Sequence, residues 1–99
     1  MNENILRMAI AVNGEECQKT KCIEEVGEFL QAMGKLAEAK EKGDPELITA
    51  ALQHLHEEIA DALIMLHQMR LIYGPAEVDR MVIFKICRLE ELLDESAVR

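Results

Sequence analysis

The chain has 99 residues, which predicts a single domain over 1–99. Nineteen acidic against eleven basic side chains give a net charge of −8, which argues against binding to a nucleic-acid polymer or to an anionic membrane surface. No apolar run is long enough to span a bilayer. Three cysteines without a disulfide pattern, and no secretory signal pattern at the start, favour a cytoplasmic protein.

The composition predicts an all-α protein. Ala, Glu, Leu, Lys and Arg make up about half of the residues, a proportion typical of long helices, whereas aromatic residues amount to only 3%. Turn and capping residues divide the chain into four predicted helices. In chain order they run from a cap at Asn2 or Asn4 to Val12, from Glu15 to Lys42, from Pro45 to Tyr73, and from Pro75 to Glu95.

Apolar residues three and four apart predict the buried face of each long helix. For the second helix this stripe is Cys22, Val26, Phe29, Leu30, Met33 and Ala37, and for the third it is Ile48, Leu52, Leu55, Ile59, Ala62, Leu63, Leu66 and Met69. The fourth helix is apolar over more than one face, which predicts self-association as a homodimer or homotetramer. We also expect all three cysteines to be buried.

Two pairs of carboxylates carry the candidate chemistry. Glu25 and Glu28, and likewise Glu58 and Asp61, are three residues apart and therefore share one face of a helix. On antiparallel helices the two pairs would meet, and a cation between them would remove their mutual repulsion. Oxygen-only ligands favour Mg²⁺ or Mn²⁺. The alternative is that these acids are solvated faces of Glu-rich helices.

The order Glu24-Glu25-x-x-Glu28, then Glu58-x-x-Asp61, resembles the EExxE…ExxD signature of the MazG-type all-α nucleotide pyrophosphohydrolases. The resemblance implies a four-helix MazG-like bundle with two long central antiparallel helices, assembled as an oligomer. It implies Mg²⁺, or Mn²⁺, bound by Glu25, Glu28, Glu58 and Asp61. Together with Glu24, these acids would catalyse hydrolysis of a nucleoside triphosphate to the monophosphate and pyrophosphate.

The candidates for holding the nucleotide are Gln18, Lys21, Lys85 and Arg88, and the resemblance extends over Gln18, Lys21 and Lys85. The alternatives are a solvated Gln18 and a Lys21 that pairs with Glu25 one turn later. Two features depart from the family pattern. The basic residue expected four positions after Lys85 is replaced by Leu89, with the arginine at Arg88 instead, and the 29 residues between Glu28 and Glu58 are a long interval. Two alternatives stay open, which are a phosphoribosyl-ATP pyrophosphohydrolase and a non-catalytic helical assembly or regulatory subunit.

Overall fold

The computed structural model describes residues 1–98, and for residues 97 and 98 it describes the backbone alone. Over this range the chain forms four α-helices and no strand, which confirms the all-α prediction. The helices are α1 (Glu3–Asn13), α2 (Glu15–Lys42), α3 (Pro45–Tyr73) and α4 (Pro75–Val98). Helices α1 and α4 extend slightly beyond their predicted ends, whereas the predicted bounds of α2 and α3 are confirmed.

Helix α1 begins and ends at residues with clear capping roles. The side-chain oxygen of Asn2 accepts hydrogen bonds from the backbone N–H groups of Asn4 and Ile5, at 3.0 and 3.4 Å. Asn2 is therefore the cap, and Asn4 lies inside the helix. The chain leaves α1 at Gly14, whose φ of 87° is accessible to glycine at little cost, and whose N–H bonds the carbonyl of Ile10 at 2.8 Å.

The turn between α2 and α3 follows the predicted stop and start signal. Gly43 adopts the left-handed conformation, with φ of 69°, and its N–H bonds the carbonyl of Ala39 at 3.1 Å. The Asp44 carboxylate then accepts a hydrogen bond from the backbone N–H of Glu46 at 3.0 Å, while Pro45 occupies the first helical position. These residues close one long helix and open the next without an intervening loop.

The chain divides into two compact units, residues 1–69 and residues from 70 onward. In the first unit α2 and α3 are antiparallel, because Gln18 near the start of α2 bonds Gln68 near the end of α3, and Glu25 lies beside Asp61 further along. That 1–99 is a single domain stays a prediction, and Arg99 lies outside the described residues.

The core of the first unit follows two heptad seams rather than the predicted apolar stripes. The residues of each seam are spaced alternately three and four apart and are all buried or half-buried. The α2 seam is Gln18, Cys22, Glu25, Phe29, Ala32, Leu36 and Ala39, and the α3 seam is Ile48, Ala51, Leu55, Glu58, Ala62, Met65 and Met69. Both seams combine alanines with polar residues, so the core of this unit contains carboxylates and amides.

The predicted stripes are therefore wrong in part. Most members of the predicted α2 stripe stand one residue after a seam position, which turns them about 100° away from α3. Leu30 and Met33 are consequently 59% and 49% exposed. On α3 the exposed members are Leu52, Ile59, Leu63 and Leu66. The expectation for the cysteines is wrong at two positions, since Cys22 is buried whereas Cys17 and Cys87 are exposed.

The second unit contains the end of α3 and helix α4. Arg70 and Asp79 form a bidentate ion pair, with Nε–Oδ1 and Nη2–Oδ2 distances of 2.7 and 2.6 Å, so the pair ties the end of α3 to the first turns of α4. Further along α4 every described side chain from Met81 to Ser96 is exposed. None of the helices in the described part of the chain has a stretch that meets the length and hydropathy of a membrane span.

Candidate metal and nucleotide site

Three of the predicted acids converge between the two long helices. Glu25 from α2 and Glu58 and Asp61 from α3 each offer a carboxylate oxygen within 4.8 Å of the other two. Glu25 and Glu58 are seam residues, and Asp61 lies one turn after Glu58 on the side that faces α2. The antiparallel pairing of α2 and α3 thus brings together acids that are more than thirty residues apart in sequence.

The acids are poorly satisfied by the protein itself. Glu58 is only 8% exposed, and one oxygen each of Glu58 and Glu25 is inaccessible to solvent and without a hydrogen-bond partner. His54 Nε2 lies 3.7 Å from the other Glu58 oxygen, a separation too long for a good hydrogen bond. Buried carboxylate oxygens without donors are unfavourable in a folded protein, and a cation is one partner that would satisfy them.

The electrostatics of Glu25 show how closely the acids are coupled. Burial raises the pKa of the Glu25 carboxyl group, and the negative charges of Glu28 and Asp61, a hydrogen bond with Glu28 and the charge of Glu58 raise it further. Two unit charges at 4.8 Å, the upper limit of the oxygen separations in this group, repel by roughly 1 kcal/mol in water and by about 3.5 kcal/mol at an effective dielectric constant of 20. The folded chain therefore maintains a repulsion that a bound cation would relieve.

The spacing of the oxygens suits a small divalent ion. Octahedral Mg²⁺ holds its ligands at about 2.1 Å, so bound oxygens are separated by roughly 3 to 4 Å. The three oxygens within 4.8 Å would reach that geometry by small side-chain movements. Among the predicted ligands Glu28 lies outside this group of three but contacts Glu25, and Glu24 is exposed.

A cleft of about 240 Å³ adjoins the acids. Residues from α1, α2 and α3 line it, namely Ala9, Asn13, Gln18, Lys21, Glu25, Asp61, Ile64, Met65 and Gln68. The predicted nucleotide-binding residues Gln18 and Lys21 therefore lie in the same cleft as Glu25 and Asp61. Lys21 is the cationic residue of this lining, and its side chain is exposed.

Two glutamines form the inner wall of the cleft. Gln18 and Gln68 are 2% and 3% exposed, and Gln18 Nε2 donates to Gln68 Oε1 at 2.6 Å. Gln68 was not predicted from the sequence. A signal exists nonetheless, because Gln68 follows Asp61 by seven residues just as Glu25 follows Gln18, and seven residues return a helix to almost the same face.

The remaining predicted nucleotide-binding residues lie on α4. Lys85 and Arg88 are exposed, and Arg88 pairs with Glu91 at an Nη1–Oε2 distance of 3.2 Å. Both belong to the second unit, so their part in nucleotide binding stays a prediction. Comparison of the chain with known protein families, curated proteins and solved structures found no significant match, and the MazG-type resemblance therefore depends on the residues themselves.

Proposed function

We propose that this chain is a Mg²⁺- or Mn²⁺-dependent nucleotide pyrophosphohydrolase of MazG-like fold, which converts a nucleoside triphosphate to the monophosphate and pyrophosphate. The observation that carries the proposal is the group of Glu25, Glu58 and Asp61, in which two buried oxygens have no partner and of which Glu25 and Asp61 line a cleft. Lys21 in the same cleft suits the phosphates of a nucleotide. The order of the acids along the chain, which resembles the MazG-type signature, supports the same function.

In this proposal each acid of the cluster has a role that follows from its position. Glu25, Glu58 and Asp61 would hold the metal ion, with Glu28 joining through its contact with Glu25. When bound, the ion would neutralise charge at the phosphates and lower the pKa of water. Hydrolysis forms a bond from the water oxygen to phosphorus and breaks the bridge between the α- and β-phosphates. Pyrophosphate leaves, and a carboxylate of the cluster takes the proton of the water.

We propose in addition that the active form is a homodimer or homotetramer. Taken by itself, the second unit exposes a continuous set of large apolar side chains on α4, which are Met81, Val82, Ile83, Phe84, Ile86, Leu89, Leu92 and Leu93. Contiguous apolar patches of more than a few hundred Å² are rare on monomers. A symmetric interface between two copies would bury the same patch on both chains.

The deciding experiment is an assay of the purified chain with ribo- and deoxyribonucleoside triphosphates and Mg²⁺, in which pyrophosphate and orthophosphate are measured separately. We expect pyrophosphate and the monophosphate as products, and no turnover after metal chelation. Phosphoribosyl-ATP belongs in the same panel, because exclusive turnover of that substrate would support the related enzyme class. Orthophosphate release, or no turnover together with no saturable Mg²⁺ binding, would favour a non-catalytic helical assembly.

Substitutions separate the roles of the acids. We expect Glu28→Gln and Asp61→Asn to abolish turnover while circular dichroism shows an intact helical fold, because both side chains lie beside the core rather than within it. Glu24→Gln should reduce turnover less, since Glu24 stands outside the group of three. Glu57→Gln is the matched control, because it removes the same charge from an exposed neighbour of Glu58. Equally mild effects at all four positions would indicate that the acids are merely solvated.

A further inference from the structure

Three side chains of the first unit form a hydrogen-bonded chain with a fixed direction. Gln68 Nε2 donates to the thioether sulfur of Met65 at 3.8 Å, and Gln68 Oε1 accepts from Gln18 Nε2 at 2.6 Å. The chain ends at Gln18 Oε1, which is buried and has no hydrogen-bond partner. All three residues line the cleft beside the acids.

Met65 determines which way the two amides point. A thioether sulfur accepts weakly and cannot donate, so Gln68 turns its NH₂ group, and not its oxygen, toward Met65. Gln68 Oε1 then faces Gln18, which must present its own NH₂ group in return. Turning both amides around would set two acceptors, Gln68 Oε1 and Met65 Sδ, against each other. The acceptor at the end of the chain is therefore a consequence of packing against a methionine.

The distance between this acceptor and the acids matches a nucleotide. Gln18 precedes Glu25 by seven residues, and Gln68 follows Asp61 by seven, so the two pairs are about 10 Å apart along the helices. That distance is comparable to the length of a nucleoside with its first phosphate. A ligand whose phosphates meet the acids and Lys21 would accordingly place its base near the two glutamines.

We propose that the Met65–Gln68–Gln18 chain makes this cleft selective for nucleobases that carry an exocyclic amino group, as adenine and cytosine do. This inference rests on the proposed function, since it names the substrate class of the same site. Gln18 Oε1 is buried in the unliganded chain, and a rotation of the Gln18 side chain that keeps Nε2 bonded to Gln68 Oε1 would bring it into the cleft, where the amino group donates to it. A keto oxygen at the same place, as in hypoxanthine or uracil, would put two acceptors together and leave both without a donor.

The first test compares nucleosides that differ only at that group, adenosine with inosine and cytidine with uridine. Nucleosides carry no phosphate, so their binding does not depend on the metal site, and ligand-observed NMR titration detects millimolar affinities. We expect each amino nucleoside to bind about tenfold or more tightly than its keto counterpart. Equal affinities, a preference for the keto member of either pair, or no binding of any nucleoside would overturn the inference.

The second test examines the direction of the chain itself. Met65→Leu conserves volume but removes the sulfur acceptor, so the two amides can reverse, and the ratio of amino to keto affinity should fall toward one. Gln18→Met removes the terminal acceptor and should have the same effect. Gln31→Met, at an exposed position of α2, should leave the ratio unchanged. If the folded Met65→Leu variant keeps the wild-type ratio of amino to keto affinity, the role proposed for Met65 is wrong.

The outcome for base selection can be told apart from the outcome for catalysis. Assays of kcat/KM that compare ATP with ITP, and CTP with UTP, measure base preference and turnover in one experiment. Turnover without a preference for the amino base would refute the inference and leave the proposed function standing. Nucleoside selection without any release of pyrophosphate would support the inference and refute the proposed function.

Discussion

Replacing Asp61 by asparagine should make the metal-free protein more stable while it abolishes activity. Asp61 is exposed, so the loss of its charge removes little favourable burial or packing. The substitution does remove repulsion with Glu25 and Glu58, whose oxygens lie within 4.8 Å. Ligand-binding sites often contain such repulsion between like charges. A substitution that removes it commonly raises stability and lowers activity.

The size of the effect follows from Coulomb's law. At the dielectric constant of water each pair, taken at the upper limit of 4.8 Å, contributes about 0.9 kcal/mol. Salt screening reduces the effect of two such pairs to about 1 kcal/mol. In a domain of this size that free energy raises Tm by roughly 4–8 °C. In the wild-type chain, Mg²⁺ at a hundred times its Kd should add about 2.7 kcal/mol.

The assay is thermal denaturation at one protein concentration, first with chelator and then with saturating Mg²⁺. We expect the order of the two Tm values to reverse between these conditions. Without metal the Asp61→Asn variant should melt above the wild type, and with metal it should melt below. Glu57→Gln, which removes the same single negative charge, should melt within a few degrees of the wild type in both conditions. If Asp61→Asn and wild type melt together without metal and respond alike to Mg²⁺, the three carboxylates do not form a cation site.

Three further predictions concern other parts of the molecule. The wild-type chain should sediment above monomer mass, and either Phe84→Asp or Ile83→Asp should give a folded monomer; a monomeric wild type at micromolar concentration would refute self-association. Asp79→Asn should lower the free energy of unfolding by about 1 kcal/mol, because the bidentate pair with Arg70 loses its charge, and an unchanged Tm would contradict this. Because the pKa of Glu25 is raised, the folded metal-free chain binds its proton more tightly than the unfolded chain. Its contribution to stability is therefore lost as pH rises above about 4.3, and a metal-free Tm that rises over this interval in wild type but not in Glu25→Gln would contradict the argument.

The helices could be predicted from the sequence because their boundaries are encoded locally. Gly43-Asp44-Pro45 stops one helix and starts the next within three residues, and each of the three acts through its own backbone or side chain. The choice between Asn2 and Asn4 could not be made, because both have the capping side chain. Only the hydrogen bonds of the folded chain show that Asn2 is the cap.

The buried face of the long helices was harder to predict, because hydrophobicity alone favoured the wrong side. Leu30 and Met33 are more apolar than Glu25 and Ala32, yet in the single chain the latter two face α3. Small side chains such as Ala32 and Ala62, which are 1% and 4% exposed, let the helices approach closely. The larger apolar residues are left outside, where a second copy of the chain could cover them.

The proximity of three acids could be predicted from the sequence, but the two glutamines of the adjoining cleft could not be predicted as a pair. Glu25, Glu58 and Asp61 were recognisable because like charges three residues apart need an explanation. Gln68 was not, because a glutamine in a helix is usually solvated and carries no charge that demands a partner. Its significance arises only from tertiary packing, which places it opposite Gln18 and behind Met65.

The atoms that the folded chain leaves unsatisfied all have the same chemical character. Within the described residues, the buried side-chain atoms without a hydrogen-bond partner are Gln18 Oε1, Glu25 Oε2 and Glu58 Oε2. Each of these atoms is an acceptor, two of them are carboxylate oxygens, and Gln18 and Glu25 line one cleft. Most buried polar side-chain atoms in folded proteins have a hydrogen-bond partner, so these three atoms require an explanation. A ligand that satisfies all three must bring positive charge to the acids and an N–H group to the amide, and an amino nucleotide bound with a divalent cation brings both.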